Sequence, residues 1–149
     1  MNDDELLARV RAAFETLDPL PEGVLAAGRS ALAWRAPSSV LAGLTGDLAG
    51  RVASGVRGGG VRALTFAAPG LIVEVEVAPT GRGREITGRL IPSAAADVHV
   101  RQPGLAPGEV TARVEAGGLF CLPRVPEGVV SLDLRFPDGT SVVTSWVRL

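Results

Sequence analysis

The sequence predicts a mainly β protein, a sandwich of about seven to eight short strands preceded by two or three N-terminal helices. Three observations predict it. Apolar residues recur every three or four positions up to about residue 35, and every second position from residue 62 onward. The second stretch is cut at regular intervals by turn chemistry such as Ala68-Pro69-Gly70, Gln102-Pro103-Gly104, Pro126-Glu127-Gly128 and Pro137-Asp138-Gly139. No helical pattern lies between those strands, which excludes a βαβ arrangement.

Residues 3–17 read as the first helix. Leu6, Leu7, Val10, Phe14 and Leu17 form one apolar stripe. Asn2 or Asp3 suits the N-cap, and Asp3, Asp4 and Glu5 put negative charge at the positive end of the helix dipole. Asp18-Pro19-Leu20-Pro21 ends it, because each proline disfavours helix in the residue before it. Pro21 suits the first turn of a second helix, which runs to about Arg35 and carries Val24, Leu25, Ala31, Leu32 and Trp34. Gly23 and Gly28 each weaken it by about 1 kcal/mol relative to Ala. Pro37 stops it, and Ser38–Leu44 is expected to add a short third turn of helix. Residues 1–45 are thus the helical region. Residues 46–61, with Gly58-Gly59-Gly60, read as a Gly-rich linker holding at most a short edge strand around Arg51–Val56.

The sandwich is expected over residues 62–149. Its strands begin at Arg62–Phe66 and Leu71–Val77, with Leu71, Val73, Val75 and Val77 on one face. Further strands follow at Arg84–Ile91, Asp97–Gln102, Glu109–Glu115, Leu119–Leu122, Val129–Phe136 and Thr140–Arg148. The alternation assigns to the core Leu64, Phe66, Leu71, Val73, Val75, Ile86, Leu90, Val98, Val100, Val110, Val114, Phe120, Leu122, Val130, Leu132, Leu134 and Phe136.

Composition narrows the function. A net charge of −1 gives no electrostatic basis for binding nucleic acid through phosphates. The acidic start Met1-Asn2-Asp3-Asp4-Glu5 is unlike a signal peptide, and no apolar run approaches the ~18 residues of a membrane span. A cytoplasmic protein that does not bind membranes is the expectation, and a single Cys121 suits a reducing compartment. Aromatic residues make up 4% with no Tyr, which disfavours a sugar site built on exposed rings.

No catalytic set emerges. His99, the one histidine, alternates with Asp97 and Arg101 and reads as part of a solvated strand face. Cys121, next to Phe120, reads as a buried, inert thiol. Glu74 and Glu76 read as polar alternation rather than an acid–base pair. Gly58-Gly59-Gly60 and Gly81-Arg82-Gly83 lack the lysine of a phosphate loop. Asp97 and His99 have no third ligand at a telling spacing, so no metal or cofactor is expected. Trp34 and Trp146 suit an interface anchor or the core equally.

The last third resembles the carboxypeptidase regulatory-like domain. The matching residues are Ile86-Thr87-Gly88-Arg89-Leu90, Ala96-Asp97-Val98-His99-Val100, Gly118-Leu119-Phe120-Cys121-Leu122 and Val125-Pro126-Glu127-Gly128. This resemblance implies a Greek-key, transthyretin-like sandwich and no catalytic residues. The whole chain also resembles uncharacterised actinobacterial proteins encoded near sigma factors and CHAT-domain proteins. That likeness lies in Leu17-Asp18-Pro19-Leu20-Pro21, Ala31-Leu32-Ala33-Trp34-Arg35, Leu64-Thr65-Phe66-Ala67-Ala68-Pro69-Gly70-Leu71 and Val142-Val143-Thr144-Ser145-Trp146-Val147. It implies a regulatory or interaction role with another protein, one associated with a sigma factor or a CHAT-domain protein.

The expectation is a non-catalytic interaction protein. Its helices bind a partner through Leu6, Leu7, Val10, Phe14, Leu17 and Trp34, and its sandwich is the scaffold. The alternative is a ligand- or peptide-binding sandwich with the helices packed into its core.

Overall fold

The computed structural model describes residues 2–19, 21–33, 38–49 and 60–149. The chain divides into two compact units, Met1–Arg35 and Ala36–Leu149.

The first unit holds helices α1 (Asp3–Leu17) and α2 (Glu22–Ala33). Asn2 caps α1 as its short polar side chain predicts: Oδ1 accepts from Glu5 N–H at 2.9 Å. At the other end Asp18 N–H still donates to Phe14 O at 2.9 Å. Pro19, which has no N–H to donate, follows immediately.

Among its described residues the second unit holds ten strands where the sequence reading expected seven to eight. They are β1 (Val40–Ala49), β2 (Arg62–Ala68), β3 (Leu71–Thr80), β4 (Gly83–Ile91), β5 (Asp97–Arg101), β6 (Thr111–Arg113), β7 (Leu119–Val125), β8 (Val129–Arg135), β9 (Ser141–Thr144) and β10 (Val147–Arg148). Two differences account for the count. The C-terminal pattern splits at Ser145-Trp146 into β9 and β10, because β10 leaves β9 to pair with β8 through Val147 and Val130. Residues 40–49, expected to hold a helical turn and the start of a linker, are strand β1. Gly43 and Gly46 weaken any helix there, while the edges of β9 and β2 offer backbone partners that local propensity does not register. The short edge strand expected at Arg51–Val56 lies outside the described residues.

The strand order is β6-β5-β8-β9-β1-β2-β3-β4-β7, with β10 beside β8. Among the described residues every pairing is antiparallel except β1 with β9. The ends of the path, β6 and β7, meet across a turn in which Glu115 N–H donates to Leu119 O at 2.7 Å, so the sheet curls back on itself and nearly closes into a barrel.

Strand β1 makes the curl possible by changing sheets along its length. Val40–Ala42 run parallel to Val142–Thr144 of β9, whereas Gly43–Ala49 run antiparallel to β2, with a bulge between Leu44 and Gly46. The two groups of strands, β6-β5-β8-β9 and β2-β3-β4-β7, face one another across the core. Of the residues the alternation assigned to that core, all are buried except Val110 and Phe136, which pack half-buried against it. Val77, placed on the same face as Leu71, Val73 and Val75, is buried with them, and Ala42, Ala96, Val125 and Val142 join unforeseen.

Among the described glycines, Gly88 has the least room beside it. It faces Phe120 across the β4–β7 pair, and a Cβ on Gly88 would land on the Phe120 ring.

Candidate functional site

The apolar stripe of α1 is intact and open. Within its unit the helix buries none of its residues, and Leu7, Phe14 and Leu17 are 65%, 65% and 84% exposed. Leu6 and Val10 are also exposed, and Leu7, Val10, Phe14 and Leu17 follow one another at alternating spacings of three and four, which aligns them along one side of the helix. Polar groups flank them, with Glu5 and Arg9 paired at 3.3 Å one turn apart. Val24, Leu25 and Leu32 of α2 are exposed as well. Trp34, the sixth residue of the expected contact, lies outside the described residues.

Sequence reasoning missed a second constellation on the outer face of β5 and β8. Register sets His99 opposite Asp133 and Arg101 opposite Ser131. This face is not the solvated one expected: Asp97 is exposed, His99 is half-buried, and Arg101 and Asp133 are 8% and 5% exposed. The cover comes from residues distant in sequence, since the Arg101 guanidinium sits 5.1 Å from the centre of the Trp146 ring, a cation–π distance. Arg101 also donates to Ser131 Oγ at 3.3 Å. Burial pushes the Arg101 pKa down from its ordinary value, and the Asp133 carboxylate opposes that shift. Asp133 Oδ2 accepts from Arg135 Nε at 3.0 Å. Asp133 Oδ1 and His99 Nδ1 are buried without a hydrogen-bond partner.

Thr111 lies on the other side of His99, so a hydroxyl, an imidazole and a carboxylate stand in one row across β6, β5 and β8. No hydrogen bond links the three into a relay of the kind nucleophilic catalysis uses. The signal that could have revealed the cluster is an Arg and an Asp placed at outward positions of strands otherwise rich in Val and Leu.

Cys121 is a correction. Inward Phe120 and Leu122 force it onto the outer face, where it is exposed rather than buried. Partial desolvation, and after it the Glu85 carboxylate, hold its thiol pKa above the ordinary value, so it is a poor nucleophile at neutral pH. Glu74 points outward and pairs with Arg89 at 2.7 Å. Glu74, Glu76 and Arg89 border an open hollow of about 440 Å³ floored by Ala63, Thr65 and Gly88. Among the described residues no three His, Cys, Asp or Glu side chains come together to hold a metal ion, and no helix is long and apolar enough to cross a membrane.

Compared with protein-family models, with curated proteins and with solved structures, the chain matches none.

Proposed function

We propose that this chain is a non-catalytic interaction protein of the cytoplasm, whose α1 face binds a partner protein while the strands serve as a scaffold. The observation that carries this reading is the open stripe of Leu6, Leu7, Val10, Phe14 and Leu17. A helix of about 15 residues is marginal in water unless its apolar face is covered, and amphipathic helices of this kind occupy grooves on partner proteins. The likeness to proteins encoded near sigma factors and CHAT-domain proteins makes regulatory proteins of that kind the first partners to try.

The scaffold is read as transthyretin-like. That reading is supported by the way Gly88 of Thr87-Gly88-Arg89 receives Phe120 of Gly118-Leu119-Phe120, since these are the motifs that carry the resemblance. Strand addition at a free sheet edge, a form of the peptide-binding alternative, finds little support. β6 has three residues, and β7 carries Pro123 at an irregular register, two ways of blunting an edge.

Photo-crosslinking amino acids placed at Phe14 and at Glu76 of the full chain test the reading. The α1 position should capture one defined protein, the sheet position should not, and Leu7→Asp should abolish the capture without changing the melting temperature. Loss of folding in Leu7→Asp would make the helices part of the core and sink the proposal.

A further inference from the structure

Strand β1 is held differently from its neighbours. Ala42 is its one buried residue, while Val40, Leu41 and Leu48 are 47%, 61% and 73% exposed. The rest of the buried apolar core comes from β2 to β9 and their connections. What holds β1, besides its backbone pairing with β2 and β9, is a line of polar ties rather than apolar packing. Ser145 N–H donates to Ala42 O at 2.9 Å, Leu44 N–H to Ser145 Oγ at 3.2 Å, and Thr45 Oγ1 to Thr65 O at 3.2 Å. At its far end the Asp47 carboxylate takes two hydrogen bonds from Arg62, Nε to Oδ1 at 2.8 Å and Nη2 to Oδ2 at 2.6 Å. Strands that contribute backbone bonds and little apolar burial belong to the low-stability end of a fold.

The position is also prepared independently of β1. The same Arg62 guanidinium donates through Nη1 to Arg148 O at 2.6 Å, so β10 holds the fork in place. With β1 lifted away, two four-stranded groups would still face one another, their edges β9 and β2 bare at the corner.

We propose that β1 is a removable strap, and that the corner it covers between β9 and β2 is a binding site for an extended peptide strand. The pairing defines that ligand. It runs parallel to β9 and then antiparallel to β2, with a small residue at the place of Ala42, which is fully buried. It carries a carboxylate five residues later, where Asp47 meets Arg62. Backbone pairing supplies the affinity in this mode of recognition, and the two side-chain positions supply the selection. The site does not depend on what α1 binds.

The test uses the full chain and a fluorescent peptide of residues 38–49. Hydrogen exchange in the wild-type protein should show β1 amides opening about tenfold or more faster than those of β3 and β8. A Leu41→Cys/Val143→Cys pair in a Cys121→Ser background joins register partners of β1 and β9. The reduced variant should bind the peptide saturably below about 1 mM, the range in which a tethered strand competes. Oxidation should abolish that binding, and an Asp47→Asn peptide should bind about fivefold or more weakly. Exchange of β1 only with global unfolding would overturn the proposal. So would peptide binding that is absent in the reduced form, or unchanged by oxidation.

Discussion

Gly88 and Phe120 make up one packing unit. Gly88→Ala has to push the ring out of its place, and overpacking of this kind destabilises by roughly 1–3 kcal/mol. Urea unfolding should show that loss, and combining Gly88→Ala with Phe120→Leu should recover part of it, because neighbouring substitutions are not additive. The Asp47–Arg62 pair makes a pH prediction. Hydrogen bonds from Arg62 hold the Asp47 pKa below its ordinary value. The unfolded chain therefore takes up this proton at a higher pH than the folded one. The pair's contribution is fully present above the unfolded value of about 3.9 and is lost as pH falls through the folded one. Asp47→Asn should accordingly flatten the fall of stability with acid below about pH 4. Asp133 is buried, and Asp133→Ala removes the carboxylate that Arg135 bonds and whose charge offsets the burial of Arg101; it should cost roughly 1–3 kcal/mol by urea titration.

At the scale of elements, the strands were legible wherever one face is buried against the core. Leu71, Val73, Val75 and Val77 show it, since their alternation with Ile72, Glu74 and Glu76 is the alternation of buried and outward positions on β3. The turn Pro137-Asp138-Gly139 was legible for a local reason: Asp138 Oδ1 accepts from Thr140 N–H at 2.9 Å. Strand β1 was not legible. Its residues alternate weakly, two glycines interrupt it, and its partners lie elsewhere in the sequence. The Arg101–Asp133 cluster escaped for the same kind of reason. Alternation marks those residues as outward, and the cover supplied by Trp146 depends on a tertiary contact. The expected contact on α1 was legible because its periodicity is local. Phe14→Asp should weaken partner binding at least tenfold, about 1.4 kcal/mol, by calorimetry, and leave the circular dichroism of the strands unchanged.

At the scale of the whole molecule, the core draws on both groups of strands, and β1 supplies Ala42 to it. A chain beginning at residue 60 should therefore fold cooperatively, with a melting temperature lowered by roughly 5–15 °C. Limited proteolysis should leave the segment between Val98 and Leu134 uncut until the whole unit unfolds; early cleavage there would contradict the fold. The pairing of β1 with β9 has a further consequence during synthesis. Ser39 and Ser141, whose hydroxyls meet beside that pairing, are 102 residues apart. At ~5–20 residues per second, a ribosome leaves β1 waiting about 5–20 s for its parallel partner. Throughout that interval the nascent chain presents Val40 and Leu41 with no β9 to receive the strand's first half, a window in which a chaperone or a neighbouring nascent chain competes for it.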